Sequence, residues 1–171
     1  MRTVLHKRTS GVSRNMNAKQ LKAAFYYKTP VFSDDKEYPV KLGYVAEVIY
    51  SLSDSGKRKT TGRVQPWDYS TSAPPVLCRH IHLIDPKKRK KPPESEPNEH
   101  TEMIKDAFLN TLPVVAVVSN VGTVEGHIKE IIYWRSQKGN IQCSANILDV
   151  NCPRSTVKAR LKYIQIKENG C

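Results

Sequence analysis

The run Leu112-Pro113-Val114-Val115-Ala116-Val117-Val118 is almost entirely β-branched, and a short apolar stretch of that kind is best accommodated as a strand buried on both faces. It is expected to be the central strand of a sheet, with Pro113 confined to its first residues, where a missing N–H costs least. Other segments supply partners. Val40, Leu42, Tyr44, Ala46, Val48 and Tyr50 alternate with Lys41, Gly43, Val45, Glu47 and Ile49, the period of a strand, and Val76 to Ile84 reads as a second strand. Val121 to Gly126 turns the chain into His127 to Arg135. Lys138-Gly139-Asn140 then closes a hairpin onto Ile141 to Leu148, and Val157 to Ile166 forms the last strand. Two segments have helical character. Asn17 to Tyr27 starts with a cap at Asn17 and a capping-box Gln20, carries Leu21, Ala24 and Phe25 on one face, and stops before Pro30. The second begins at Asn98 or Thr101 and runs to Asn110, with Met103, Ala107 and Phe108 as its apolar stripe.

These elements predict an α+β fold: a single, mostly antiparallel sheet with one or two helices packed on one face and a flexible basic N-terminal arm. Two regions are expected, residues 1–37 as the arm with its short helix and residues 38–171 as one core with a charged loop at 85–100. No internal repeat is expected. At 171 residues one domain is the default, and 39% hydrophobic against 26% charged residues suggests a core smaller than the chain. No stretch approaches the roughly 20 apolar residues of a membrane-spanning helix. The basic start, Met1 to Arg8, has no apolar run behind it, so no secretory signal is expected. Cys78, Cys143, Cys152 and Cys171 lie far apart and are expected to remain thiols.

Lys and Arg outnumber Asp and Glu by 28 to 16, a formal charge of +12, and the excess is clustered. Arg2, Lys7, Arg8, Arg14, Lys19, Lys22 and Lys28 precede the first acid, Asp34. Lys57, Arg58 and Lys59 sit in a Gly- and Ser-containing stretch that reads as a hairpin tip. Lys87, Lys88, Arg89, Lys90 and Lys91 lie between Pro86 and Pro92-Pro93; five adjacent cations cannot be neutralised inside a core, and the prolines hold them extended. This is close to a monopartite nuclear import signal, and a solvated loop that binds phosphate is the plainer reading; both can hold together. An excess of this size in a chain without a membrane span implies a polyanionic partner, either nucleic acid or an anionic lipid surface. The side chains expected to meet it are Lys7, Arg8, Arg14, Lys19, Lys22, Lys57, Arg58 and Lys59.

Catalytic signatures are missing: there is no phosphate-binding Gly loop, nucleophile elbow, His-Glu-x-x-His or Cys-x-x-Cys. The chain is expected not to be an enzyme and to need no cofactor. Cys78, His80 and His82 alternate along a predicted strand, which would place all three on one face as metal ligands. A fourth ligand is not specified, however, and Leu77, Ile81 and Leu83 explain the segment as an ordinary strand, so no metal is assigned. Tyr26, Tyr27 and Trp134 stand near basic residues and could stack on bases, although Tyr133 and Trp134 at a strand end also suit a core.

From Tyr38 to Ile166 the order of strand, charged loop, helix, Val-rich strand and hairpin, behind a basic arm, resembles the small matrix proteins of rhabdoviruses, the plant-infecting genera in particular. Thr71-Ser72-Ala73-Pro74 lacks the first proline of that family's budding tetrapeptide, so the resemblance does not extend to that motif. What the resemblance implies is a structural protein of the virion that self-associates and bridges viral ribonucleoprotein to the inner face of the membrane envelope. It also implies passage through the host nucleus, with Lys87 to Lys91 meeting an import receptor. The alternative is a nuclear protein that binds DNA or RNA directly.

Overall fold

The computed structural model describes residues 16–91, 93 and 99–168. Its elements are α1 (Ala18–Tyr27), β1 (Val31–Ser33), β2 (Val40–Leu52), β3 (Arg58–Pro66), β4 (Val76–Leu77) and β5 (Ile81–Leu83), then α2 (Glu99–Leu109), β6 (Pro113–Val118), β7 (Gly122–Arg135), β8 (Ile141–Asp149), β9 (Thr156–Arg160) and β10 (Ile164–Ile166). The chain is α+β: two helices pack on a ten-stranded sheet in which every pairing is antiparallel. No helix among the described residues is long and apolar enough to cross a membrane.

The molecule is built twice from one plan, which corrects the expectation of no internal repeat. In each half a helix precedes five strands, and a one-turn 3₁₀ segment, Cys78–His80 or Leu161–Tyr163, joins the fourth strand to the fifth. The pairings correspond: β2 meets β1 and β3 as β7 meets β6 and β8, β4 meets β3 as β9 meets β8, and β5 meets β1 as β10 meets β6. A constant offset, 83 positions, superimposes the halves without insertion or deletion. It carries Lys22-x-Ala24-Phe25 onto Lys105-x-Ala107-Phe108, Pro30-Val31 onto Pro113-Val114, and Glu47-x-Ile49-Tyr50 onto Glu130-x-Ile132-Tyr133. The helix ends match too. Lys28 and Thr111 both adopt φ near +50° (47° and 53°), and the following amides donate back to Ala24 O and Ala107 O.

Within each half the fourth and fifth strands belong to opposite ends of the five-strand order yet are only three residues apart, so the sheet must curl on itself. The curl is made at Gly43 and Gly126. A Cβ on either would overlap a backbone carbonyl of the neighbouring strand, Gln65 O or Leu148 O, so only glycine permits the approach. Three residues on, a bulge interrupts the ladder, between Val45 and Glu47 in β2 and between Ile128 and Glu130 in β7. An extra residue reverses which side chains face inward. The uninterrupted alternation expected over Val40 to Tyr50 therefore fails. Val45 and Val48 are both fully buried, while Leu42 is half exposed.

Beyond the bulge the two long strands meet each other. Ile49 pairs with Ile132, its own counterpart, flanked by Val48 with Tyr133 and Tyr50 with Ile131. Exchanging the halves leaves this pairing unchanged, as in the isologous interface of a twofold dimer. Each half then clasps the other's helix. Arg135 donates from Nη2 to Phe25 O and Tyr26 O at 2.7 and 2.8 Å, and Arg58 donates from Nη2 to Leu109 O at 2.9 Å. Both guanidinium groups thus sit where the helix dipole is negative and carbonyls lack partners.

Several expectations change. The run Leu112–Val118 is not central and not covered on both faces: β6 lies next to the edge strand β10, and Val117 is 61% exposed. Val76–Ile84 and Val157–Ile166 are each two strands about a 3₁₀ corner, not one. Ile104, not Met103, joins Ala107 and Phe108 in the inward stripe of α2. α1 keeps its Asn17 and Gln20 capping box, but Leu21 and Phe25 are fully buried and β1 is a sheet member. The segment from Met16 to Ser33 is therefore part of the core and not of an arm; residues 1–15 lie outside the described residues.

Replacing Gly126 by Ala should lower the stability by about 3 kcal/mol, the scale of severe overpacking. Gly139→Ala, at a turn with φ +81° and open space around it, should cost only about 1 kcal/mol. Urea unfolding of the two variants beside the parent checks the contrast.

Candidate nucleic-acid interface

The bulges and the β2–β7 pairing align six strands on the outside of the sheet, in the order β4, β3, β2, β7, β8, β9. Side chains of register partners share a face. Trp134 therefore stands beside Gln142 on one side and Glu47 on the other, and Ser144 stands beside Arg160. Tyr133, one residue away, points inward and is fully buried. The two adjacent aromatics thus divide, one completing the core and the other lining the surface.

Three depressions follow one another through shared lining residues, two along this face and a third beside the C-terminal end of α1, and together they form the candidate groove. The first, about 770 Å³, is lined by Trp134, Gln142, Ser144, Lys158, Arg160 and Lys162, with no carboxylate among its lining residues. Its Trp134 and Ser136 also line the second, of about 460 Å³, which holds Tyr44, Tyr69, Arg63, Arg135 and Lys28. Lys28 in turn lines the third, of about 380 Å³, shared by Tyr27 and the cations Lys87, Lys88, Arg89 and Lys90.

Cations and rings interleave along its length. Lys158 Nζ lies 6.0 Å from the Trp134 ring centroid, Lys28 Nζ 5.0 Å from Tyr44, and Lys90 Nζ 4.8 Å from Tyr27. Trp67 packs on Tyr44 with centroids 5.1 Å apart. Burial, and then a hydrogen bond with Tyr69, pushes the Tyr44 phenol above its usual range, so Tyr44 stays uncharged at neutral pH. Glu47 brings the one carboxylate among the lining residues of the three depressions, and it is ion-paired with Arg63.

No family model, curated protein or solved structure matches this chain. What the groove does is therefore read from its own chemistry.

The residues expected to meet a polyanion fall in several places. Lys7, Arg8 and Arg14 lie outside the described residues. Lys19 is exposed on α1. Lys22 is buried, 8% exposed, with its ammonium 4.7 Å from the Tyr133 ring centroid, so it joins the two halves and is no surface contact. Lys57, Arg58 and Lys59 do occupy the β2–β3 hairpin, where Arg58 is engaged by α2 and Lys59 lines a separate depression with Asp35, Glu37 and His80. The structure brings Lys87 to Lys90 into the groove, leaves Lys91 exposed, and winds Pro86–Lys88 into a 3₁₀ turn capped by Asp85 where extended chain was expected. Lys158, Arg160 and Lys162 had a legible signal, every second residue cationic near the end of the chain.

Cys78, His80 and His82 do not share a strand face, because the 3₁₀ turn at Cys78–His80 separates the cysteine from β5. Both imidazoles instead meet Asp34, His80 Nδ1 at 3.2 Å from Oδ1 and His82 Nε2 at 2.8 Å from Oδ2. Burial pushes the Cys78 thiol up, away from a metal-binding thiolate. Partial desolvation would raise the Asp34 carboxyl, but the bonds and charges of His82 and His80 outweigh it and hold it below its ordinary value. A carboxyl depressed in the folded state contributes stability above its unfolded pKa and loses it as the pH falls through the folded one. Asp34→Asn should therefore be less stable than the parent above pH ~4 and converge with it in more acid solution. Thermal unfolding followed from pH 7 down to pH ~2 reads the convergence.

Proposed function

We propose that the protein is a non-enzymatic nucleic-acid-binding protein that holds a single strand along the outer groove, stacking bases on its rings and pairing phosphates with its cations. One observation supports this above the rest. Trp134 and Lys28 each line two successive depressions, so the cations Lys158, Arg160, Lys162, Lys28 and Lys87 to Lys90 follow one another past the rings of Trp134, Tyr44 and Tyr27. Single-stranded nucleic acid is recognised by this combination, a basic track for the backbone and π-faces that accept any base. A duplex offers no unstacked base to such rings. Lys87 to Lys91 serve in this reading both as the end of the track and as the nuclear import run.

The membrane-bridging role implied by the resemblance to rhabdovirus matrix proteins is a second reading. What favours it is the apolar tip of the β6–β7 hairpin, where Val117 and Val121 are 61% and 58% exposed. Such a tip suits an anionic bilayer or a second copy of the chain.

Fluorescence anisotropy of a labelled oligouridylate of about 20 nucleotides should show binding that weakens with salt, by a slope of about 0.7 per phosphate neutralised. Replacing Lys158 and Arg160 by Ala should weaken binding and lower that slope by about one to two. An unchanged slope would remove the groove from the contact. Co-sedimentation with vesicles containing phosphatidylserine, with and without Val117→Asp, tests the second reading: loss of vesicle binding in the variant supports it, and equal binding removes the hairpin tip from the contact.

A further inference from the structure

The first depression has properties that a backbone track alone does not require. Ser144 is only 3% exposed, and its Oγ has no hydrogen-bond partner among the described residues; the same holds for the buried Nε1 of Trp134. Both belong to side chains that line the cleft. Buried polar atoms are rarely left unpaired, and two in one cavity wall, as also at Arg63 Nε and Arg135 Nε in the second depression, call for a partner that a bound molecule would supply. Trp134 Nε1 can only donate, so the ligand must offer it an acceptor, whereas Ser144 Oγ can donate or accept. The volume, about 770 Å³, lies within the range of small-molecule pockets.

The duplication supplies an internal control. Positions the fold needs recur in both halves, as Gly43 and Gly126 or Tyr50 and Tyr133 do. The positions of Trp134, Lys158 and Arg160 are occupied in the first half by Ser51, Pro75 and Leu77, and that of Lys162 by Arg79. The shared scaffold thus stands without the indole and without two of the three cations. Their presence in the second half is an addition to the fold, and it is concentrated around the two unpartnered atoms.

We propose that this cleft is a pocket for one nucleotide of a single strand, or the equivalent free nucleoside monophosphate. The base lies against the Trp134 indole with an edge toward Ser144, and the phosphate lies among Lys158, Arg160 and Lys162. The proposal rests on the reading of the groove as a nucleic-acid track and adds to it a discrete subsite.

The test uses the full chain carrying Trp67→Phe, which leaves Trp134 as the sole indole. Adenosine and uridine monophosphates, adenosine, and inorganic phosphate are titrated separately while Trp134 emission is followed. Saturable quenching by a monophosphate, with little response to phosphate, is expected. Ser144→Ala should weaken the monophosphate about five- to tenfold, the scale of one hydrogen bond, while leaving the unfolding midpoint in place. Lys158→Ala, at an exposed position, should weaken it without any folding effect and so guards against a structural cause in the serine variant. Equal quenching by phosphate would reduce the site to a simple anion contact and overturn the proposal. Oligonucleotide binding with no response to any monophosphate would overturn the pocket and leave the groove standing. Failure of both to bind would overturn the groove reading as well.

Discussion

The antiparallel contact of β2 with β7 is what the rest of the molecule depends on. Without it each half would expose the distal edge of its longest strand, a row of unpaired amides and carbonyls ready to capture another chain. With it, Ile49 and Ile132 become the centre of a pseudo-twofold axis, and the two curled five-stranded units merge into one sheet. The bulges beside Ala46 and Lys129 make this possible. They let one edge of each long strand serve β1 or β6 before the bend and the opposite half after it. Lys22 over Tyr133 and the clasps of Arg135 and Arg58 on the helix ends then lock the arrangement from outside the sheet.

The groove is a product of the same contact. Glu47 and Trp134 are register partners across the junction, so the depression holding Tyr44, Arg63 and Tyr69 from one half and Trp134 and Arg135 from the other exists only because the halves are joined. A chemistry confined to one curled unit would have offered a short basic patch. Joining two units sets rings and cations of both halves around one depression, with the Trp134 indole in its wall.

Local structure was largely legible. The Asn17 and Gln20 capping box, the stop near Pro30 and the Gly139 hairpin are written in neighbouring residues, and the structure realises each. The duplication was hidden because the recurring residues are scattered and of modest kind. Lys22, Ala24, Phe25, Gly43, Glu47 and Tyr50 acquire meaning only when set beside residues 83 positions on, since every exposed position between them has changed. Lys22 shows the cost. On an isolated amphipathic helix a lysine belongs in water, but its recurrence as Lys105 in an otherwise diverged repeat signals a structural duty. The bulges were invisible, because an extra residue changes facing without changing composition. The unpartnered Ser144 needed the structure outright, as nothing local distinguishes it from any strand serine.

Covalent fusion changes what kind of object such a pair is. Two identical chains meeting across the same strand edge would dissociate on dilution and would be bound to present the same surface twice. Here residues 84–98 bridge the copies, so their encounter is intramolecular and its strength does not vary with the amount of protein present. Freed from symmetry, one copy could drift toward an apolar and proline-bearing rim, at Pro75 and Leu77, while the other gathered an indole and cations. The connecting segment itself carries the cationic run, so a single stretch of polypeptide both tethers the pair and gathers five adjacent positive charges.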